Sequence, residues 1–95
     1  MEVIKKLEGN VLNVKVIGRL DTTTAPILEQ ELANELKSGI KVVFDFAELE
    51  YLSSAGLRCL LNAYKLTEDV TINNSNDVIK DVIELTALSD FFKLN

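Results

Sequence analysis

The stretch from Val42 to Leu57 constrains the fold most, because it joins two different hydrophobic periods within a few residues. Val42-Val43-Phe44-Asp45-Phe46 is a short, nearly continuous apolar run, and this predicts a strand covered on both faces. Apolar residues then recur at helical spacing, which predicts a helix over about Ser54–Leu66. Two adjacent serines, Ser53 and Ser54, therefore stand where the chain passes from strand to helix.

The residues before this stretch predict a hairpin and then a helix. Strands are expected over Val3–Glu8 and Val11–Ile17, with Gly9-Asn10 as a two-residue antiparallel turn. Gly18-Arg19-Leu20-Asp21 is expected to break the second strand. A helix capped by Thr24 should follow and end at Ser38-Gly39, because a glycine readily takes the left-handed conformation that ends a helix. Its predicted apolar stripe consists of Ala25, Leu28, Leu32 and Leu36.

After the second helix, a strand is predicted over Val70–Asn73 and a third helix from Ser75 or Asn76 to about Leu85 or Thr86. Leu88 and Phe91-Phe92 are expected to hold the C-terminal tail against the core, as strand or helical turn. The predicted order is β-β-α-β-α-β-α, with parallel strands wherever a helix intervenes. The fold class is therefore α/β. We expect residues 1–95 to form one domain with a mixed sheet of four to five strands and three to four helices.

Composition and net charge exclude several classes of function. The net charge of −5 leaves no basic stripe for nucleic acid or an anionic membrane, and no apolar run is long enough to span a bilayer. The chain has no histidine, which excludes a Ser-His-Asp triad and most zinc sites. A hydrolase with Ser53 or Ser54 as nucleophile also lacks a Gly-x-Ser-x-Gly turn. We therefore expect a cytoplasmic protein with Cys59 in its core and with no enzymatic activity, metal or cofactor. We also expect a monomer, because no exposed apolar stripe is evident beyond the core faces.

Topology predicts where a site would be. In open α/β sheets, binding sites lie beyond the carboxyl ends of the parallel strands. The loops Arg19–Thr24 and Ala47–Ser54 leave two such ends, so Asp21 and Ser54 should share an edge if their strands are neighbours. Acidic residues in and beside these loops are either solvated or form a surface for a basic partner. They are Asp21, Asp45, Glu48 and Glu50.

Each residue at this edge has a structural alternative. Helix capping alone would account for one serine, although not for two. Gly56 costs about 1 kcal/mol relative to alanine in a helix, which indicates either close packing against a strand or the approach of a partner's backbone. Arg58 is a cation near the positive end of a helix. It could contact an anion on Ser54, four residues earlier, or pair with a nearby carboxylate.

These motifs resemble those of the STAS domain, specifically the small free-standing anti-sigma factor antagonists of bacteria. Gly18-Arg19-Leu20-Asp21-Thr22-Thr23-Thr24-Ala25-Pro26 is similar to the first family motif. Val43-Phe44-Asp45-Phe46 and Tyr51-Leu52-Ser53-Ser54-Ala55-Gly56-Leu57 are similar to the second, which usually reads Asp-Ser-Ser-Gly-Leu. This chain has Ser53 in place of the aspartate and Ala55 in place of the second serine.

The resemblance implies a switch between binding partners. In such proteins a serine at the helix start is phosphorylated by an anti-sigma factor that is itself a serine kinase, and a phosphatase removes the phosphate. By position, Ser54 is the phosphorylation site and Ser53 the second candidate. The predicted partner-binding residues are Asp21, Thr22, Thr23, Ser53, Gly56 and Arg58. The alternative is a STAS subunit that is not phosphorylated and docks to an ATPase or transporter component.

Overall fold

The computed structural model describes residues 1–86 and 88–95 as one mixed sheet with helices packed on one of its faces. The strands are β1 (Glu2–Glu8), β2 (Val11–Leu20), β3 (Lys41–Asp45), β4 (Leu49–Leu52), β5 (Val70–Asn73) and β6 (Lys93–Leu94). The helices are α1 (Ala25–Leu32), α2 (Ser54–Thr67) and α3 (Asp77–Leu85), followed by a 3₁₀ turn at Leu88–Asp90. The α/β class and the mixed sheet are confirmed. In the described residues the sheet has six strands, because β4 and β6 add to the four that were placed from the sequence.

The sheet order is β1-β2-β3-β5-β6, with β4 paired to β2 outside this path. The hairpin prediction is confirmed: β1 and β2 are antiparallel, and Gly9 takes a φ of +63°. The other pairings are parallel. β2 pairs twice, using Val11–Lys15 against β3 and Gly18–Leu20 against β4. The predicted break at Gly18–Asp21 does not end β2, because β4 and the residue before it supply hydrogen-bond partners as far as Leu20. The strand is irregular at Gly18, where φ is +100° and the pairing register shifts.

β3 is covered on one face, and the prediction of cover on both faces is wrong. Val42 and Phe44 are fully buried, whereas Lys41, Val43 and Asp45 are half-buried. All three helices contribute to the same hydrophobic cluster, which also contains Leu12, Val14 and Val16 of β2. In the described part of the chain, no helix of this cluster covers the opposite face of the sheet, so alternate residues of β3 remain partly accessible. α2, which begins at Ser54, packs on the face of the sheet that carries this hydrophobic cluster.

α1 ends at Leu32, earlier than the predicted end at Ser38-Gly39. Beyond the helix, the amide of Glu35 donates to the Leu32 carbonyl, three residues back. The Glu31 carbonyl, which would accept that amide in a continued helix, instead accepts from the Lys5 ammonium of β1. Gly39 does take a positive φ of 93°, but in the turn before β3. The helix that periodicity extends to Leu36 thus ends at Leu32, and the chain continues in turns in which the Leu32 carbonyl accepts from the amides of both Glu35 and Leu36.

The remaining elements agree with the sequence. α2 and α3 begin and end close to the predicted residues, and Asn76 caps α3 by accepting from the Ile79 amide at 2.9 Å. Phe92 is buried, whereas Phe91 is 44% exposed, with its ring 5.2 Å from that of Tyr64. The prediction for the Leu88 side chain lies outside the described residues. None of the helices in residues 1–86 and 88–95 has the length and apolarity needed to cross a membrane.

Candidate functional site

The site lies where β2 and β4 end side by side. The Ser53 amide donates to the Leu20 carbonyl at 3.0 Å, continuing the β2–β4 pairing to the start of α2. Asp21 follows Leu20 directly, and Ser54 follows Ser53. β2 and β3 are parallel neighbours as well. The expectation that Asp21 and Ser54 share one edge of the sheet is therefore confirmed.

Ser53 is the N-cap of α2. Its backbone is extended, with φ −93° and ψ 175°, and its hydroxyl accepts a hydrogen bond from the Gly56 amide at 3.3 Å. Its carbonyl accepts the first helical bond, from the Leu57 amide at 2.9 Å. An N-cap hydroxyl satisfies one of the amides that a helix start leaves without a partner. The capping role that the sequence allowed for either serine thus belongs to Ser53.

Ser54 is the first residue of α2, and its side chain is exposed. The cap is already provided by the residue before it, so capping does not account for a hydroxyl at position 54. The start of α2 carries no acidic residue in its first turn, so no carboxylate of its own helix offsets the positive end of the dipole there. An anion attached to Ser54 would therefore meet a favourable field from the helix.

Gly56 is explained by packing inside the domain. A Cβ atom at this position would lie 2.7 Å from Leu52 Cδ1 and 2.9 Å from both the Cγ and the carbonyl oxygen of Leu20. Contacts this short require the neighbours to move, and the Leu20 backbone is held in the sheet. The helix start therefore sits directly on the β2–β4 pair because residue 56 has no side chain. The predicted contact of Gly56 with a partner stays a prediction.

Asp21 organises the loop that leads into α1. Its carboxylate accepts from the amides of Thr23 at 3.0 Å and Thr24 at 3.1 Å. These bonds, the Thr24 amide first, lower the pKa of Asp21 below its usual value, and Arg19 adds to the effect. Thr24 occupies the predicted N-cap position but caps no amide of α1; its hydroxyl donates to the Arg19 carbonyl at 2.8 Å. The side-chain oxygens at this helix start are thus used within the loop.

Arg19 and Tyr51 form a pair that sequence reasoning missed. The Arg19 guanidinium lies 4.3 Å from the centre of the Tyr51 ring, and its Nε is 3.7 Å from an Asp21 oxygen. Both side chains are substantially exposed, Tyr51 by 42%. Tyr51 lies on β4, which was not predicted, so no pattern indicated that these residues meet. Arginine and tyrosine are frequent anchors of protein interfaces.

A small pocket lies between the starts of α1 and α2. It has a volume of about 220 Å³, and its lining includes Thr22, Pro26, Glu29, Ala55 and Arg58. Two predicted partner-binding residues, Thr22 and Arg58, are thus brought together, while Thr23 is exposed in the same loop. Arg58 makes no ion pair within the described residues. We call this cavity the Arg58 pocket.

Two other acidic residues near this edge, Asp45 and Glu48, have partners within the chain, whereas Glu50 is exposed. Asp45 accepts from the Ala47 amide at 3.0 Å and from Asn74, and these bonds lower its pKa. Glu48 pairs with Lys15 on the half-exposed face of the sheet. Because of these contacts, the Asp45 and Glu48 carboxylates are less available to a basic partner than the sequence suggested.

Cys59 is a core residue, as predicted. Its side chain is buried, and burial raises its pKa to about 12, so the thiol stays protonated near neutral pH. Within residues 1–86 and 88–95, no cluster of three or more histidine, cysteine, aspartate or glutamate side chains is placed to hold a metal ion. The edge thus presents the exposed hydroxyl of Ser54 at a helix start, together with two exposed arginines, Arg19 and Arg58.

Comparison with known proteins agrees with the geometry. A family model for the STAS domain matches residues 2–95. An anti-sigma-B factor antagonist from Listeria monocytogenes is 27% identical over 96% of this chain and 84% of its own length. The crystal structure of an anti-sigma factor antagonist from Mycobacterium paratuberculosis is 27% identical and superposes with a TM-score of 0.83, covering 98% of this chain and 83% of the other.

A structure of the Bacillus protein SpoIIAA in its phosphorylated form has the same fold, with a TM-score of 0.71 and 10% identity, over 99% of this chain and 91% of that one. At this identity the likeness concerns the fold alone. The match of the STAS family model, by contrast, extends over nearly the whole chain. The protein therefore belongs to the STAS domain family, and the relatives from Listeria monocytogenes and Mycobacterium paratuberculosis described above are anti-sigma factor antagonists.

Proposed function

We propose that the protein is an anti-sigma factor antagonist that binds an anti-sigma factor with serine kinase activity, and that phosphorylation of Ser54 ends this binding. The observation that carries the proposal is that the two serines have different structural roles. Ser53 caps α2, and Ser54 presents a hydroxyl to solvent one residue later. A kinase needs an accessible hydroxyl, and Ser54 has one that the fold does not use as a cap.

Charge gives the switch its physical basis. A phosphoserine carries roughly −1.5 to −2 charges near neutral pH. The helix dipole stabilises an anion at this position by about 0.3–1 kcal/mol, so the domain itself should tolerate the phosphate. A partner surface docked over Ser54 would instead have to desolvate the phosphate or leave it unpaired. Leaving a charge unpaired in an interface costs about 2–5 kcal/mol, which corresponds to at least about 30-fold in affinity.

The surrounding residues support a binding role at this edge. Thr22 and Arg58 line the same pocket, and Arg19 with Tyr51 forms an exposed pair beside the Asp21 loop. Arg58 lies four residues after Ser54 on the same helix, so its side chain is directed toward the helix start. In the phosphorylated state it would pair with the phosphate. Partner binding and phosphate binding would thus use overlapping residues.

The phosphorylation test uses an anti-sigma factor with serine kinase activity from the organism that encodes this protein. The protein, Ser54→Ala and Ser53→Ala would each be incubated with the kinase and ATP, and phosphate would be located by mass spectrometry. We expect phosphate on the unchanged protein and on Ser53→Ala, and none on Ser54→Ala. Since Ser53→Ala removes the cap and keeps the acceptor, it is the matched control. Phosphate on Ser53, or on neither serine, would contradict the proposal.

The binding test uses the same kinase with ADP, so that no phosphate is transferred. Ser54→Ala should bind like the unchanged protein, whereas Ser54→Asp should bind at least about tenfold more weakly, a change of 1.4 kcal/mol. Calorimetry would measure both. If the protein binds the kinase but is not phosphorylated by it, the alternative would be favoured, in which the protein is a STAS subunit that docks to an ATPase without being modified. Equal affinity of Ser54→Asp and Ser54→Ala would contradict charge control.

A further inference from the structure

A longer groove continues from the Arg58 pocket between α1 and α2. Beyond the pocket lies a cavity of about 380 Å³, whose lining includes Leu32, Ala33, Cys59 and Lys65. Glu29 lines both cavities, so they adjoin along the two helices. We call the two cavities together the α1–α2 groove. Neither was indicated by the sequence, because both cavities depend on how α1 and α2 pack against each other.

One face of α2 forms a wall of this groove. The residues of α2 that line it include Ala55, Arg58, Asn62 and Lys65, at spacings of three, four and three. These spacings place side chains on one side of a helix. The stretch from Ala55 to Lys65 is roughly 15 Å long, or nearly three helical turns. The groove is thus long enough to hold a short helix rather than a single side chain.

The charge along this face is opposite to that of the whole protein. The net charge is −5, yet the exposed ionisable residues that α2 contributes to the groove are Arg58 and Lys65. Neither forms an ion pair in the described part of the chain. On the other wall, Glu29 accepts a hydrogen bond from Asn62 at 3.4 Å. Two cations about 10 Å apart therefore remain available to carboxylates from outside.

We propose that the α1–α2 groove binds an acidic amphipathic helix of the kinase partner. Apolar side chains of that helix would enter the cavity over Leu32 and Cys59, and its carboxylates would face Arg58 and Lys65. Helices that bind in grooves use apolar anchors at this kind of spacing. The inference rests on the proposed function and names the chemistry of the surface that binds the partner.

The same groove accounts for release on phosphorylation. One end lies at Ala55 and Arg58, immediately after Ser54. A phosphate there would repel an acidic helix and would compete with it for Arg58. Binding and release would then depend on one electrostatic contact at the end of the groove, without any rearrangement of the sheet.

The charge test replaces Lys65, which lies roughly 16 Å along α2 from Ser54. Lys65→Glu should weaken binding of the kinase, with ADP present, by roughly tenfold, and should reduce the dependence of affinity on salt. Lys6→Glu is the matched control, since Lys6 is exposed on β1 and the net charge changes equally. The control should bind like the unchanged protein.

The shape test fills the cavity from its rim. Ala33 is exposed and lines the cavity, whereas its neighbour Asn34 is exposed and is not part of the lining. Ala33→Trp should weaken binding by about tenfold or more, and Asn34→Trp should not. Circular dichroism would verify that each variant is folded. If Lys65→Glu and Ala33→Trp both bind normally while Ser54→Asp does not, the groove is not the contact and the proposed function stands. If the unchanged protein does not bind the kinase, the proposed function fails as well.

Discussion

The two helices that begin at the site edge use their hydroxyl groups differently. At the start of α1, the Thr24 hydroxyl donates to the Arg19 carbonyl, and the Asp21 carboxylate accepts two loop amides. At the start of α2, the Ser53 hydroxyl serves as the cap, and Ser54 remains exposed beside it. The first start is a closed network that fixes a loop. The start of α2 has a second hydroxyl, that of Ser54, which is not needed as a cap. This makes Ser54 the candidate for modification.

The largest expected effect concerns the contact that seats α2 on the sheet. Gly56→Ala should lower the free energy of unfolding by about 1–3 kcal/mol, because the added methyl group overlaps Leu52 and the Leu20 carbonyl. Urea denaturation would measure it. Ala55→Gly is the control for the helix start, since it removes a methyl group there and costs only about 1 kcal/mol. A stable Gly56→Ala protein would mean that the helix start is not held closely against the sheet.

A smaller effect is expected at the α1 start and should depend on pH. Asp21→Ala removes the acceptor of the Thr23 and Thr24 amides, so the free energy of unfolding should fall. The folded-state pKa of Asp21 is lowered from 3.8, so the charged form stabilises the fold above that value. This contribution is lost as the pH falls through the lowered pKa.

The measurement is the free energy of unfolding of both proteins, from neutral pH to well below 3.8. The difference between them should be largest at neutral pH and should narrow in acid. Asp21→Asn keeps an acceptor oxygen and cannot titrate, so it separates the charge from the hydrogen bonds. A constant difference between the unchanged protein and Asp21→Asn across the range would show that the charge of Asp21 does not stabilise the loop.

The smallest effect separates the two serines directly. Ser53→Ala should lower the free energy of unfolding by about 1 kcal/mol, because the Gly56 amide loses its acceptor. Ser54→Ala should change it by no more than about 0.5 kcal/mol, because alanine favours a helix and no cap is lost. Urea denaturation of the two variants side by side would measure the difference. Equal losses would mean that both hydroxyls contribute to the start of α2.

Most elements could be predicted because their signals are local. The hairpin depends on Gly9-Asn10 and on the alternation of β2, and α2 and α3 depend on apolar spacing over two or more turns. β4 was missed because Leu49–Leu52 is only four residues long and is buried only at its ends, so it shows no alternation. It exists as a strand because the end of β2 lies beside it. The same pairing carries β2 past Gly18, where glycine suggested a break.

The end of α1 and the Arg19–Tyr51 pair could not be predicted for the same reason. Periodicity extends the helix to Leu36, but α1 ends at Leu32, and the Glu31 carbonyl beside that end accepts from Lys5, 26 positions away. Arg19 and Tyr51 meet across the β2–β4 pair, and nothing in either neighbourhood indicates it. Contacts between distant segments leave no periodic signal in the chain.

The sequence by itself determined that two serines stand between a strand and a helix, and that an aspartate-containing loop leaves a neighbouring strand. Only the tertiary structure decided which serine is the cap. The Leu20 carbonyl binds the Ser53 amide and so holds Ser53 in the extended conformation that an N-cap requires. Ser54 then falls at the first helical position with its side chain exposed. The two residues are chemically identical, and a hydrogen bond from another strand gives them different roles.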